Sequence, residues 1–303
     1  MNLKIRHTIY LFVTAMIWGA AFVAQSAGNV MGPFTFNCLR NVLGVVVLIP
    51  FIRLFYGNLK LDKTTCIGGI CCGFFLFLAS NVQQMGLLYT TPGKAGFITA
   101  SYMVLVPIVG IFLGSRISGR ILAAVLLGAL GLYFLCIPPG EGFSNINRGD
   151  LLCMGCALLF TGHIMCIDYF VPKTEGVKMS CVQFFTAAIL SGILMLLFEA
   201  PDASAVRSGL LPLLYAGIMS TGVGYSMQIV GQNGVDPTVS ALILSLESCF
   251  AVLAGWLLMH NAMSTRELAG CALMFGAIVL TQLPAGKRGT EKAREAYNEE
   301  ENA

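Results

Sequence analysis

The feature that most constrains this chain is the recurrence, along almost its whole length, of apolar runs about 20 residues long separated by short polar breaks. A run of that length crosses the ~30 Å hydrocarbon core of a bilayer as an α-helix, which satisfies every backbone N–H and C=O within the segment itself. Ten such runs are predicted, at Thr8–Ala27, Phe34–Phe55, Cys66–Leu88, Pro92–Ser115, Arg120–Ile137, Gly149–Phe170, Ser180–Phe198, Gly209–Val230, Pro237–Met259 and Arg266–Leu283. Only 11% of the 303 residues are charged, against about one quarter in a soluble domain. No soluble domain remains between the runs. The first run is too long for a cleaved signal peptide and is expected to stay as the first helix. Residues 284–303, "PAGKRGTEKAREAYNEEENA", are basic and then acidic with almost nothing apolar, and are expected to form a disordered tail.

Lysines and arginines predict the orientation. With residues 1–7 in the cytoplasm, the inside segments hold Lys4, Arg6, Arg53, Lys60, Lys63, Arg116, Arg120, Lys173, Lys178, Lys287, Arg288, Lys292 and Arg294, and the outside segments hold Lys94, Arg148, Arg207 and Arg266. That bias of thirteen to four, with Arg40 inside a span, places both termini of a multi-pass cell (inner) membrane protein in the cytoplasm. Nearly all of the 11 cysteines fall inside predicted spans, where cysteine serves as a small apolar packing residue. Cys153, Cys156 and His163 share a helical stripe, but no fourth ligand accompanies them, so no metal site and no cofactor are expected.

Sliding the sequence against itself by 145 residues aligns Gln83 with Gln228, Gly86 with Gly231, Pro92 with Pro237, Ile98 with Ile243, Gly110 with Gly255 and Gly131 with Gly276. A single offset held across three spans indicates duplication of a five-helix unit, with copies over residues 8–140 and 148–283. Five spans is an odd number, so the second copy enters the membrane from the opposite side. The expected fold is an all-α membrane protein of ten transmembrane helices in two inverted five-helix repeats, an organisation used by many secondary transporters. Thr91-Pro92 and Asp236-Pro237 read as an N-cap followed by a first-turn proline, and so as the starts of helices four and nine.

"MIWGAAFVAQSAG", "FNCLRNVLG", "LLYTTPGKAGFITASYMVLVPIVGIFLGS" and "GQNGVDPTVSALILSLESCFAVLAGWLL" together resemble the EamA branch of the drug/metabolite transporter superfamily, over about residues 8 to 283. The resemblance implies a central cavity between two five-helix halves, cytoplasmic termini, and movement of small metabolites or drugs by alternating access. It also implies an arginine at the position of Arg40. Members often carry a glutamate just past the apolar part of helices four and nine, where this sequence has Ser115 and His260.

Glu247 lies ten residues past Pro237, ~15 Å along a helix and therefore near mid-membrane. A carboxyl group there faces either a cavity or a hydrogen-bonding partner on another helix. On a straight helix Ser240, Leu244, Glu247, Ala251 and Ala254 share one stripe, and the repeat maps it onto Ala95, Thr99, Tyr102, Val106 and Val109. Tyr102 is thus expected opposite Glu247 at matching depth, both flanking one cavity, with an ordinary packed aromatic as the alternative. Arg40 can snorkel outward, pair with Glu247 or hold an anionic substrate group, and Asn37 and Asn41 lie within a turn of it. Lys94 opposes the dipole of helix four and has neutral Val239 as its counterpart, which leaves headgroup snorkelling or attraction of an anion at the outer mouth. Gln83, Gln228, Trp18, Asn81 and Gln232 are lesser polar candidates, each also explained by an interhelical hydrogen bond.

These features predict a secondary active transporter, exporter or exchanger, for a small-molecule substrate, with protons as the candidate coupling ion. The bilayer is its only other expected partner besides a second copy, as a monomer or homodimer, and nucleic acid is not expected. An enzyme is not predicted, because the three histidines, His7, His163 and His260, form no HExxH or other catalytic motif. A membrane sensor or scaffold is the alternative, and the shortness of every loop weighs against it.

Overall fold

The structure, a computed structural model, describes residues 3–137, 146–259 and 264–283. Among them are ten helical rods: α1 (Leu3–Gly28), α2 (Pro33–Tyr56), α3 (Lys63–Gly86), α4 (Pro92–Phe112), α5 (Gly119–Cys136), α6 (Arg148–Phe170), α7 (Gly176–Phe198), α8 (Leu210–Gln232), α9 (Pro237–Leu244 continued by Glu247–Met259) and α10 (Thr265–Gln282). All ten predicted runs are helical. Eight are long and apolar enough to cross a membrane; α5, apolar over Gly119–Leu135, and α10 are the shorter pair. These two pack on each other through Gly131 and Gly270, where a Cβ on either would come within 2.8 Å of the other's carbonyl oxygen. His260 and residues 284–303, for which sequence-based expectations are given above, lie outside the described residues.

The helix starts follow the local chemistry. Thr91 Oγ1 accepts from the Lys94 N–H, and Asp236 Oδ1 accepts from the Thr238 and Val239 N–H groups at 2.8 and 3.2 Å, so both caps precede a first-turn proline as expected. α7 begins four residues earlier than predicted, at Gly176. Lys178 sits buried in that first turn because Asn58 Oδ1, the Lys60 carbonyl and Glu175 Oε1 all accept from its ammonium at 3.1 to 3.3 Å. Such a cluster lets a lysine enter a helix that composition alone would start later.

The two copies run in opposite directions. At one end of the bundle α4 and α6 begin together, where Lys94 Nζ contacts Asp150 Oδ2 at 2.6 Å and Thr90 Oγ1 donates to Asp150 Oδ1 at 2.9 Å. At the other end α9 begins, and His7 of α1 bonds the Asn233 carbonyl. Ser248 Oγ reaches the Gly96 carbonyl at 3.4 Å, so the middle of α9 crosses α4 in antiparallel sense.

Two departures from regular helix lie mid-bundle. α4 is interrupted at Ser101 and α9 at Ser245 and Leu246, one full repeat later. Ser101 Oγ donates back to the Ile98 carbonyl at 2.6 Å and Ser245 Oγ to the Leu242 carbonyl at 2.8 Å. The Ser101 and Leu246 N–H groups reach carbonyls only three residues back, the tightened bonding of a 3₁₀ turn. α8 is the second departure, being π-helical from Tyr215 to Tyr225, a stretch containing Gly217, Gly222 and Gly224.

Candidate functional site

Tyr102 and Glu247 each open the second segment of an interrupted helix, and their side chains meet: the Tyr102 hydroxyl donates to Glu247 Oε1 at 3.0 Å. They are separated by 145 residues, the repeat offset itself. Two equivalent positions of an inverted duplication can touch only where they straddle the axis relating the copies. This contact therefore marks the pseudo-two-fold axis at the middle of the bundle.

A small cavity opens beside the pair, lined by Trp18, Phe22 and Gln25 of α1, Arg40 of α2, Gln83 of α3, Thr99 and Tyr102 of α4, Phe160 of α6, Ser220 and Tyr225 of α8, and Glu247 of α9. Its free volume is about 20 Å³, room for about one water molecule, so the site is occluded in this conformation. Thr99 Oγ1 accepts from Gln83 Nε2 at 3.2 Å. Trp18 Nε1 donates to the Ser220 carbonyl at 3.2 Å, and the ring of Trp18 lies 4.5 Å from that of Tyr225. Arg40 Nε donates to Thr221 Oγ1 at 3.1 Å.

Arg40 is buried, yet the ion pairs among the described residues are Lys94–Asp150 and Lys178–Glu175. The alternative in which Arg40 pairs with Glu247 is thus not realised. Among the described residues, the cavity instead holds on one wall a guanidinium that engages Thr221 and Tyr225 with no carboxylate within 4.0 Å, and on another a carboxyl group bonded to a phenol. Burying a cation without a counter-charge is costly. A substrate bearing an anionic group would offset that cost, and a carboxyl group beside it can take up or release a proton.

Of the residues named from sequence, Glu247, Tyr102, Arg40, Thr99, Gln83 and Trp18 all line this cavity. The others lie elsewhere. Asn37 Nδ2 bonds the Ser80 carbonyl and Asn81 Oδ1, tying α2 to α3. Gln228 and Ser240 are buried away from the cavity, with Gln228 Oε1 and Ser240 Oγ lacking a hydrogen-bond partner within the protein. Lys94 is engaged by Asp150 at the end of the bundle, an arrangement that neither snorkelling nor an open outer mouth anticipated. Cys153, Cys156 and His163 belong to no cluster of three or more potential metal ligands among the described residues. Sequence reasoning missed Gln25, Ser220 and Tyr225. The glycines of "GIMSTGVGY" were the one available sign that α8 departs from regular helix there.

The family model for the EamA-like transporter family matches this chain twice, over residues 6–137 and 147–283. The chain belongs to the EamA-like transporter family. Both copies of the repeat are thus EamA-like units, and the chain is a multi-pass membrane transporter rather than an enzyme, in contact with lipid and acting on a small molecule. It is 30% identical to an uncharacterized transporter of Archaeoglobus fulgidus, over 90% of this chain and 84% of that one. It is 22% identical to the transporter YoaV of Bacillus subtilis, over 90% and 95% of the two chains, and 22% identical to the threonine/homoserine exporter RhtA of Escherichia coli, over 91% and 89%. A crystal structure of a protein 21% identical superposes with a TM-score of 0.76, covering 91% of this chain and 96% of that one, a likeness of fold.

Proposed function

We propose that this EamA-like protein is a secondary active transporter of the cell (inner) membrane, with cytoplasmic termini, that exports or exchanges a small metabolite carrying an anionic group. The observation that carries the reading is the Tyr102–Glu247 contact on the pseudo-two-fold axis, beside a cavity into which Arg40 brings a guanidinium that has no carboxylate partner among the described residues. The halves rock about that axis, and the 3₁₀ interruptions of α4 and α9 supply the hinges. Arg40 binds the anionic group. Glu247 carries the coupling proton, and Tyr102 orients its carboxyl group between the halves. Similarity to a threonine/homoserine exporter supports an exported metabolite of about amino-acid size, for which the occluded cavity must open.

Reconstitution into liposomes tests this. Glu247→Gln keeps an oxygen to accept from Tyr102 but removes the titratable group, so it is expected to abolish pH-driven flux while unfolding at the wild-type temperature. Unchanged pH-driven flux in a folded Glu247→Gln protein removes Glu247 from the mechanism. Arg40→Gln is expected to lose binding of anionic substrates while the protein remains folded.

A further inference from the structure

Away from the axis, α2 and α3 are tied through Asn37 at one end and joined by residues 57–62 at the other, and α7 packs against both. α7 is drawn against α3 at Gly69 and Gly73, where an added Cβ would lie 2.4 Å from Val182 Cβ and 2.6 Å from the Gln183 carbonyl oxygen. The wedge left between α2 and α3 is a groove of about 520 Å³. Ile49 and Ile52 wall it on one side and Ile70 on the other, with Phe185 and Ile189 along its floor. Leu59 and Leu61 of the α2–α3 loop close its end.

The chemistry of that closed end is distinctive. Lys178 lies in the groove wall, and the exposed side chains of Arg53, Lys60 and Lys63 stand around the same loop. Two carboxylates are nearby and both are occupied: Glu175 accepts from Lys178, and Asp62 caps α3 through the Thr64 and Thr65 N–H groups. A second groove of about 390 Å³ lies on the other face of α2, lined by Tyr10, Val47, Phe51, Tyr56, Met227 and others, with no lysine or arginine in its wall. The two share α2 and an apolar character, and a lysine lines only the first.

We propose that the groove between α2, α3 and α7 is a binding site for one anionic phospholipid, an acyl chain lying along Ile70 and Ile189 and the phosphate facing Arg53, Lys60 and Lys63. A long apolar trough ending in several cations matches that amphiphile, because its tail gains burial and its head gains about 1 kcal/mol per nearby cation, about fivefold in affinity. A neutral phospholipid fills the trough without the second gain. The site does not depend on the transport reading and would act by holding α2, α3 and α7 in register.

The test uses the full chain in detergent, titrated separately with phosphatidylglycerol and phosphatidylcholine and read by native mass spectrometry and thermal unfolding. One phosphatidylglycerol per chain should bind in preference to phosphatidylcholine and raise the unfolding temperature. Lys60→Gln should cut that preference about fivefold, and Ile70→Trp, or Ile49→Trp from the opposite wall, should abolish the bound lipid; Ile70 is 53% exposed, so the larger ring is tolerated in the fold. Equal binding of the two lipids, or phosphatidylglycerol retained by both tryptophan variants, overturns the proposal. So does a lipid-free dimer dissociated by Ile70→Trp, which would give the groove to a second copy of the chain.

Discussion

If Tyr102 and Glu247 straddle the pseudo-two-fold axis, exchanging them should restore what either single change destroys. Tyr102→Glu alone sets two carboxyl groups face to face and removes the phenol that donates to Glu247 at 3.0 Å. A buried polar group left unserved costs about 1–3 kcal/mol. Glu247→Tyr alone places two rings in a space with about 20 Å³ to spare, and overpacking of that kind costs a further 1–3 kcal/mol, roughly. The double exchange returns one phenol and one carboxyl group to the same meeting point, so the coupling energy in a double-mutant cycle should be about 2 kcal/mol or more in the restoring direction. Trp18 lines the cavity and the other tryptophan is Trp256, so thermal unfolding followed by tryptophan fluorescence in a Trp256→Phe background, alongside activity in liposomes, reads both stability and site integrity. The double mutant should unfold nearer to wild type than either single mutant. A double mutant as unstable as the sum of the singles would refute the placement of the axis.

Three further outcomes follow from contacts elsewhere. Lys94→Gln removes the ammonium from Asp150, and because Lys94 is one-third exposed the loss should be about 1 kcal/mol or less, with the gap to wild type shrinking in high salt by thermal unfolding. Gly131→Ala drives a methyl group to 2.8 Å from the Gly270 carbonyl oxygen, whereas Gly93→Ala meets nothing within 4 Å; the first should destabilise by about 1–3 kcal/mol and the second should be near neutral in the same unfolding assay. Asp62, in the α2–α3 loop, accepts hydrogen bonds from the Thr65 hydroxyl and from the Thr64 and Thr65 N–H groups, which hold its carboxyl below the usual carboxylate range. Its contribution is therefore complete above the ordinary carboxylate range and is lost as pH falls through the depressed value. Unfolding midpoints of wild type and Asp62→Asn, an alternative cap that does not titrate, should converge as the pH is lowered below the ordinary carboxylate range.

Much of this architecture was legible because lipid leaves a chain few options. Apolar runs of spanning length gave the ten helices, and the 145-residue offset placed Tyr102 opposite Glu247 before any coordinate was known. The interruptions of α4 and α9 were not legible. No glycine or proline sits at Ser101, Ser245 or Leu246, so a straight helix was the natural reading, and it put Ser240 on the same stripe as Glu247. In the structure Ser240 belongs to the first segment of α9, with the break between it and the cavity. Lys94 was misjudged for a different reason. Its partner Asp150 lies 56 residues away in the other copy, and no local pattern connects them. The π-helical stretch of α8 likewise depends on tertiary bonding, with the Ser220 and Gly224 carbonyls accepting from Trp18 and Thr14 of α1.

The duplication explains where the site lies, and the departures from it explain why the polar cavity sits to one side of the axis. Gln25, Arg40, Gln83 and Thr99 all come from the first copy. Over α3 and α4, where the offset holds, shifting Gln83 and Thr99 by 145 residues gives Gln228 and Leu244. Thr99, whose hydroxyl accepts from Gln83 Nε2, corresponds to Leu244, so Gln228 has no equivalent threonine acceptor. The second copy has thus lost a hydrogen-bonding group that the first copy keeps beside the cavity. Symmetric scaffolding supplies two matched helix interruptions and a shared axis, but a site with the same chemistry on both sides of that axis would bind substrate equally in both orientations. Placing the guanidinium of Arg40 in one copy and the carboxyl group of Glu247 in the other gives the central site a polarity that the backbone lacks, and an anionic substrate entering it has one favoured orientation.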